Sequence, residues 1–160
     1  MTACSAETGP TTQQTSSPWA RPTIPVETPA LPPLKCVDAG SDTCVATLDS
    51  DALFPTGSAI LSSGSLQVAD QLATLVKSRG SYVQLVGHAD GQGEYAANLT
   101  LSEARADAIK QALIERGISE SSISTCGVGD QGAAPGVDDQ AFRRVDAILT
   151  QVLPGTCPMR

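Results

Sequence analysis

The sequence predicts an α/β domain in which a small mixed sheet packs with two main helices. Three observations support this fold class. Short runs of β-branched and apolar residues alternate with longer segments whose apolar residues recur at helical spacing. Glycine stands just past each helical segment, where helices commonly end. The apolar content of 41% suits a packed core, and an aromatic content of 3% leaves Leu, Val, Ile and Ala to fill it.

The predicted elements follow the order β-α-β-α-β-β. They lie at residues 44–48, 66–77, 82–86, 101–116, 123–126 and 143–150. Thr100-x-x-Glu103 matches a capping box and sets the predicted start of the second helix, and Gly117 marks its end. The expected architecture is an α/β sandwich with helices on one or both faces of the sheet.

The overall charge argues against two classes of partner. A net charge of −7 does not suit a surface that binds nucleic acid or anionic lipid, because such a surface needs clustered Lys and Arg. No apolar run approaches the roughly 20 residues of a membrane-spanning helix.

The first 35 residues differ in composition from the rest of the chain. They hold seven of the eleven prolines, and Ser, Thr and Pro together make up 17 of the 35. Such a segment is expected to be a disordered, partly polyproline-II tether, leaving residues 36–160 as the folded domain. Met1-Thr2-Ala3-Cys4 resembles the end of a bacterial lipobox, so Cys4 is a candidate lipidation site.

The remaining cysteines indicate an oxidising compartment. No CxxC is present, and His88 is the single histidine, which argues against a structural metal site. Four cysteines allow three pairings. We favour Cys36 with Cys44, which would close a short loop, and Cys126 with Cys157, which would tie a late strand to the C-terminus.

Arg105 falls in the middle of the apolar arc of the second predicted helix. A buried guanidinium requires a carboxylate from the protein, a carboxylate from a ligand, or a route to solvent, and the sequence leaves these alternatives open. The nearest candidate partner is Asp90, at the end of the strand 82–86, where α/β sheets commonly place ligands. An Asp and an Arg facing one cleft would suit the ammonium and carboxylate of an amino-acid headgroup.

Several motifs agree in order and separation with one known family. Gly87-His-Ala-Asp90 is followed by Asn98-Leu-Thr-Leu-Ser-Glu-Ala-Arg105-Ala and later by Arg143-Arg-Val. With the upstream segment 53–61, these motifs resemble the OmpA-like C-terminal domain family over about residues 44–152. The resemblance implies the same β-α-β-α-β-β fold and non-covalent binding of peptidoglycan through the diaminopimelate of its stem peptide.

The resemblance also assigns roles to individual residues. Asp90 would hold the diaminopimelate ammonium, and Arg105 would hold its carboxylate. The implied pocket is completed by the side chains of Asn98 and Arg143 and by backbone groups near Ala89 and Leu101. Three departures from the family pattern, Ala89, Phe142 and Gly57, each remove a polar contact at or near this pocket.

The lipobox-like cysteine, the tether and the domain together resemble a peptidoglycan-associated lipoprotein. This predicts an exported, membrane-anchored protein of the cell envelope, with peptidoglycan, the membrane and envelope proteins as its partners, without a cofactor and without binding of nucleic acid. The alternative is that the fold is an envelope protein-interaction module in which Asp90 and Arg105 form an internal salt bridge.

Enzymatic interpretations have weaker support. Gly127-Val-Gly129-Asp-Gln-Gly132 matches a dinucleotide-binding pattern, but no helix follows it and too little chain remains for a βαβ unit. Asp90 and Glu94 flank a glycine-containing loop as paired acids would in a glycosidase, without a second supporting feature. The sequence therefore predicts a binding protein and not an enzyme.

Overall fold

The structure is a computed structural model that describes residues 33–39, 42–155 and 157. The predicted lipidation site at Cys4 and most of the predicted tether lie outside the described residues. Leu34, assigned to the tether by composition, belongs to the folded unit, because its side chain packs against the core and its N–H donates to Gln71 Oε1 at 2.7 Å.

Five strands and three α-helices make up the described domain. In chain order they are β1 (Val37–Asp38), β2 (Thr43–Asp49), α1 (Ser50–Leu53), α2 (Leu66–Arg79), β3 (Tyr82–Gly87), α3 (Tyr95–Glu115), β4 (Ile123–Gly127) and β5 (Arg144–Thr150). The predicted order β-α-β-α-β-β is confirmed, and the short elements β1 and α1 are additions to it.

The strands form one mixed sheet in the order β1-β2-β5-β3-β4. Only β3 and β4 run parallel; their register pairs Val83 with Ile123 and Gly87 with Gly127. The last strand, β5, lies in the middle and pairs antiparallel with both β2 and β3. The carboxyl ends of β3 and β4 therefore meet at one edge, where the loops that form the site begin.

The main core lies between α2, α3 and one face of the sheet. Alternate residues of β5, Val145, Ala147 and Leu149, point into this core and are almost fully buried, as the two-residue period of a strand requires. On the other face Ile148 packs with a smaller cluster that includes Cys157. The main helices therefore cover one face of the sheet.

Two of the boundaries that differ from the prediction bear on the residues assigned to the pocket. Helix α3 begins at Tyr95, six residues before the predicted start, and Thr100 lies inside it with its hydroxyl donating to Ala96 O. The Thr100-x-x-Glu103 capping box is therefore wrong, because the Thr100 hydroxyl donates to a carbonyl inside the helix and does not accept a backbone N–H at a helix start. Strand β5 begins at Arg144, so Arg143 precedes it.

Two disulfides join Cys36 to Cys44 and Cys126 to Cys157, with Cα–Cα distances of 5.5 and 5.9 Å. This is the pairing that the spacing favoured. The first links the chain before β1 to β2, and the second holds residue 157 against β4. Among the described residues, no helix is both long enough and apolar enough to span a bilayer.

Candidate functional site

A cavity of about 320 Å³ opens beside the carboxyl end of β3. All six residues assigned to the pocket from the sequence line it: Ala89, Asp90, Asn98, Leu101, Arg105 and Arg143. Five further residues complete the lining: Asp51, Thr56, Gly57, Gln92 and Asp138. The segments that follow α1, follow β3 and precede β5 therefore surround the cavity together with the first half of α3.

Close packing of α3 on the sheet explains this meeting. A Cβ added at Gly87 would lie 2.0 Å from Ser102 O, and one at Gly127 would lie 2.6 Å from Glu103 N. Only glycine permits so close an approach of strand and helix. Ser102 secures the contact, since its hydroxyl accepts the Gly129 N–H at 3.0 Å. These glycines belong to helix packing and not to a dinucleotide site.

Arg105 is 4% exposed and projects from α3 into this space. Its Nε donates to Ser58 O at 3.0 Å, and its guanidinium carbon lies 5.4 Å from the centroid of the Phe54 ring. No carboxylate among the described residues lies within salt-bridge distance of it. The guanidinium therefore contacts a backbone carbonyl and the face of an aromatic ring within the protein. Its remaining N–H donors face the cavity.

The charges around Arg105 act in opposite directions on its pKa. Burial is the largest cause and lowers the pKa of the guanidinium, and the positive charge of Arg143 lowers it further. The negative charges of Asp51 and Asp90 raise the pKa and offset part of this effect. An arginine remains protonated despite such a shift, so the site holds a buried cation without a direct counter-ion.

Arg143, and not Arg105, is the ion-pair partner of Asp90. The Arg143 Nη1 donates to Asp90 Oδ2 at 2.7 Å and also to Asp138, and its Nε donates to Asp51 Oδ2 at 2.9 Å. The hydrogen bonds that Arg143 donates to the three carboxylates, that of Asp90 first, raise its pKa. The internal Asp90–Arg105 salt bridge expected under the alternative interpretation is therefore not formed, because Asp90 is paired with a different arginine.

Asp90 is held from two sides but retains acceptor capacity. Its Oδ1 accepts the Gln92 N–H at 3.2 Å, and its Oδ2 accepts from Arg143. Each carboxylate oxygen has two lone pairs, so a further donor can approach from the cavity. Three aspartates against two arginines leave this cavity with one net negative charge, which favours a ligand that brings an ammonium group.

The remaining assigned residues act mainly through position. The Asn98 side-chain amide donates to Gln92 O at 2.8 Å and to Asp90 O at 3.3 Å, so it holds the loop that carries Asp90. The Ala89 N–H donates to Gly129 O at 2.8 Å. The backbone N–H of Leu101 lies in the second turn of α3, within the helical ladder, because the helix begins earlier than predicted.

Two of the three departures from the family pattern have a visible consequence. Phe142 lies in a short 3₁₀ turn before β5, and its ring centroid is 5.6 Å from the Arg144 guanidinium carbon. Gly57 lines the cavity with open space at the position of a side chain. Asp51 and Asp138 also supply carboxylates to the cavity, and the sequence interpretation missed them. Their only sequence signal is that an acidic residue lies beside each motif.

His88 lies next to the site but faces the opposite side of the sheet. Its Nε2 is 3.1 Å from Asp146 Oδ2, and the ring is 8% exposed, in agreement with a structural role at the strand end. Glu94 is exposed and does not line the cavity, so it does not form the acid pair with Asp90 considered above. The described part of the chain gathers no group of three or more side chains suited to a metal ion.

Comparisons with known proteins agree with this fold. Outer membrane protein A of Serratia odorifera is 37% identical over 92 residues, which cover 56% of this chain and 38% of that protein. The chain thus spans less than half the length of this relative. The cell wall anchor of the T6SS from Pseudomonas aeruginosa has a TM-score of 0.65 at 21% identity, covering 75% of this chain and 89% of that one.

A second solved structure, the peptidoglycan-associated lipoprotein from Burkholderia pseudomallei, has a TM-score of 0.54 at 22% identity. It covers 65% of this chain and 89% of that one. At these identities both structures establish the fold alone. The sequence profile of the OmpA family matches residues 53–142, more than half of the chain and all but two of the residues that line the cavity. The chain belongs to the OmpA family.

Proposed function

We propose that this protein binds peptidoglycan non-covalently through the diaminopimelate of the stem peptide and so anchors a membrane-tethered lipoprotein to the cell wall. The observation that carries the proposal is Arg105, a buried guanidinium that faces a cavity and has no carboxylate of the described residues within salt-bridge distance. Keeping such a cation buried is costly unless a ligand supplies the missing anion. No bond of the ligand is broken in this role.

The cavity offers complementary groups for one end of diaminopimelate. That end carries an ammonium and a carboxylate on the same carbon. The Arg105 guanidinium presents paired N–H donors that match a carboxylate. Asp90, supported by Asp51 and Asp138, presents carboxylate oxygens that match the three donors of an ammonium. Arg143 positions these three acids because all of them bind to it.

The relatives support this proposal through what their names state. One structural neighbour is described as a cell wall anchor, and another as a peptidoglycan-associated lipoprotein. The oxidising compartment expected from the cysteines agrees with a location in the cell envelope. The net charge of −7 does not hinder binding, because recognition depends on one buried arginine and not on a basic surface.

The binding test is co-sedimentation of the protein with purified sacculi. Arg105→Met and Asp90→Asn should each weaken binding by about 30-fold or more, because truncating one partner of a buried charged contact costs about 2–5 kcal/mol. Arg79→Met is the matched control, since Arg79 lies at the far end of α2 and is exposed. Equal pelleting of all four proteins would overturn the proposal.

Ligand specificity has its own test. Walls in which lysine replaces diaminopimelate keep the ammonium but lack the neighbouring carboxylate. We expect strong binding to diaminopimelate-type sacculi and weak binding to lysine-type sacculi. Equal binding to both would remove the role of Arg105 as the carboxylate receptor.

The lipid anchor is tested separately at Cys4. Cells producing the protein are supplied with an alkyne-bearing palmitate, and the purified protein is examined for the label. We expect incorporation in the natural protein and none in Cys4→Ser. A labelled Cys4→Ser protein would contradict the anchoring site without affecting the peptidoglycan proposal.

A further inference from the structure

A second cavity, of about 520 Å³, lies on the other side of the first turns of α3. Its polar and aromatic lining comes from α3, β4 and the loop after β4: Tyr95, Glu103, Thr125 and Gln131. Leu99 and Val128 provide apolar surface between them. None of the functions described above uses this cavity.

The two cavities are neighbours because adjacent faces of one helix line them. Asn98, Leu101 and Arg105 follow at spacings of three and four residues and face the first cavity. Tyr95 and Leu99, four residues apart, begin a stripe that faces the second cavity. At 100° per residue the two stripes are separated by roughly a third of a turn around α3. A ligand crossing the start of this helix can therefore contact both cavities.

The composition of the second cavity favours an uncharged ligand with both apolar and hydroxyl-bearing surface. Tyr95 is 53% exposed and presents an aromatic ring to solvent, in a chain with only two tyrosines. Among the described residues that line it there is no Lys, Arg or His, so these residues offer no cation to an anionic ligand. Glu103, Thr125 and Gln131 can bind hydroxyl and amide groups. Sugar rings combine these properties, because their C–H faces pack on aromatic rings and their edges carry hydroxyls.

We propose that the second cavity binds an N-acetylhexosamine of the glycan strand whose stem peptide occupies the first cavity, with Tyr95 packing on the sugar ring. This inference rests on the proposed function, since only a stem peptide held in the first cavity would bring its glycan to this side of α3. N-acetylhexosamines carry no net charge, in agreement with the absence of cations among the described lining residues. Recognition would then extend from the amino-acid headgroup to the polymer that carries it.

Two soluble probes separate the inference from the proposed function. The first is a diaminopimelate-containing tripeptide, and the second is the same tripeptide attached to its N-acetylglucosamine–N-acetylmuramic acid disaccharide. Binding to the full chain is measured by calorimetry. We expect the disaccharide to raise the affinity by about three- to tenfold, the range of a specific aromatic contact. Tyr95→Ala should remove this gain and leave the affinity for the tripeptide unchanged.

Two variants control for effects on structure. Tyr95→Phe keeps the ring and should retain most of the gain. Leu153→Ala removes an exposed apolar side chain beyond β5, at the end of the sheet opposite the cavities, and should leave both affinities unchanged. Helix α3 should survive Tyr95→Ala because alanine has the best helix propensity.

Each other outcome has a definite meaning. If the tripeptide binds and the disaccharide adds nothing, the sugar site is refuted and the proposed function stands. If Tyr95→Ala weakens both probes equally, the cavity contacts peptide, as an extended segment along the open edge of β4 would, and the sugar proposal fails. If neither probe binds the natural protein, the proposed function fails, and the sugar site fails with it.

Discussion

Replacing Arg105 by methionine separates a binding role from a structural one. Methionine has a similar reach and fills the same buried space without a charge. If Arg105 has a structural role, its replacement should lower the stability of the fold. If it serves to bind a ligand, its replacement should lower only the affinity for that ligand. The structure allows both consequences to be worked out.

The stability balance of Arg105→Met comes out near zero. The variant loses one charged hydrogen bond to Ser58 O, a contact worth about 1.5–3 kcal/mol, and the contact with Phe54, worth about 0.5–2 kcal/mol. It also removes the desolvation cost of a buried cation without a counter-ion, which is several kcal/mol. We therefore expect the free energy of unfolding to change by no more than about 1 kcal/mol.

The assay combines urea unfolding with binding of the diaminopimelate tripeptide. The midpoint and slope of the urea transition give the free energy of unfolding, and calorimetry gives the affinity. We expect nearly unchanged stability together with an affinity lowered by about 30-fold or more. A loss of more than about 3 kcal/mol of stability, or unchanged affinity, would refute the assignment of Arg105 as a ligand-binding residue.

Three further predictions concern the scaffold. Gly127→Ala should lower the free energy of unfolding by about 1–3 kcal/mol in urea, because the new methyl group would lie 2.6 Å from Glu103 N. Burial raises the pKa of Asp146, but hydrogen bonds to its carboxylate outweigh this effect and lower the pKa below its ordinary value of 3.8. The ionised Asp146 therefore stabilises the fold above pH 3.8. As the pH falls below 3.8, the natural protein should lose more stability than Asp146→Asn. Removing the Cys126–Cys157 disulfide, which closes a segment of 31 residues, should cost about 3–4 kcal/mol by thermal or urea unfolding.

Each of these predictions has a control. Gly64→Ala meets nothing within 4 Å and should be nearly neutral, so an equal effect at both glycines would contradict the packing argument. Parallel acid titrations of the natural protein and Asp146→Asn would contradict the linkage. The shorter Cys36–Cys44 loop, with a separation of 8, should contribute less than the longer one, and a reversed order would count against the loop argument.

Periodicity predicted the long elements of this fold because their apolar faces are buried. The apolar arc of α3 also exposed Arg105 as an anomaly, and the structure buries that side chain at 4% exposure. The predicted start of α3 is too late because Tyr95, Ala96 and Ala97 are exposed and lie before the apolar arc that periodicity detects. The Thr100-x-x-Glu103 pattern, which lies inside the helix, predicts a later start.

The acids around Arg143 mark the second limit of sequence reasoning. Asp51 is 92 positions from Arg143, and Asp90 is 53 positions from it, so no local pattern connects them. Their meeting depends on the sheet order, which places the residue before β5 between the segments after β2 and after β3. The alternative interpretation of the charges is a pairwise Asp90–Arg105 bridge, and the tertiary structure pairs Asp90 with Arg143 instead.

The central position of β5 has a consequence for how the protein reaches its native state. Strands β2 and β3 are each bonded to β5 and not to each other, and the Thr47–Asp146 side-chain hydrogen bond joins residues 99 positions apart. The sheet therefore stays in two unjoined halves until residues 144–150 have been synthesised and delivered. Assembly cannot proceed progressively from the N-terminus, and such distant pairing favours slow folding. A chain that crosses a membrane in extended form would meet this requirement naturally, because its last strand arrives before the sheet can close.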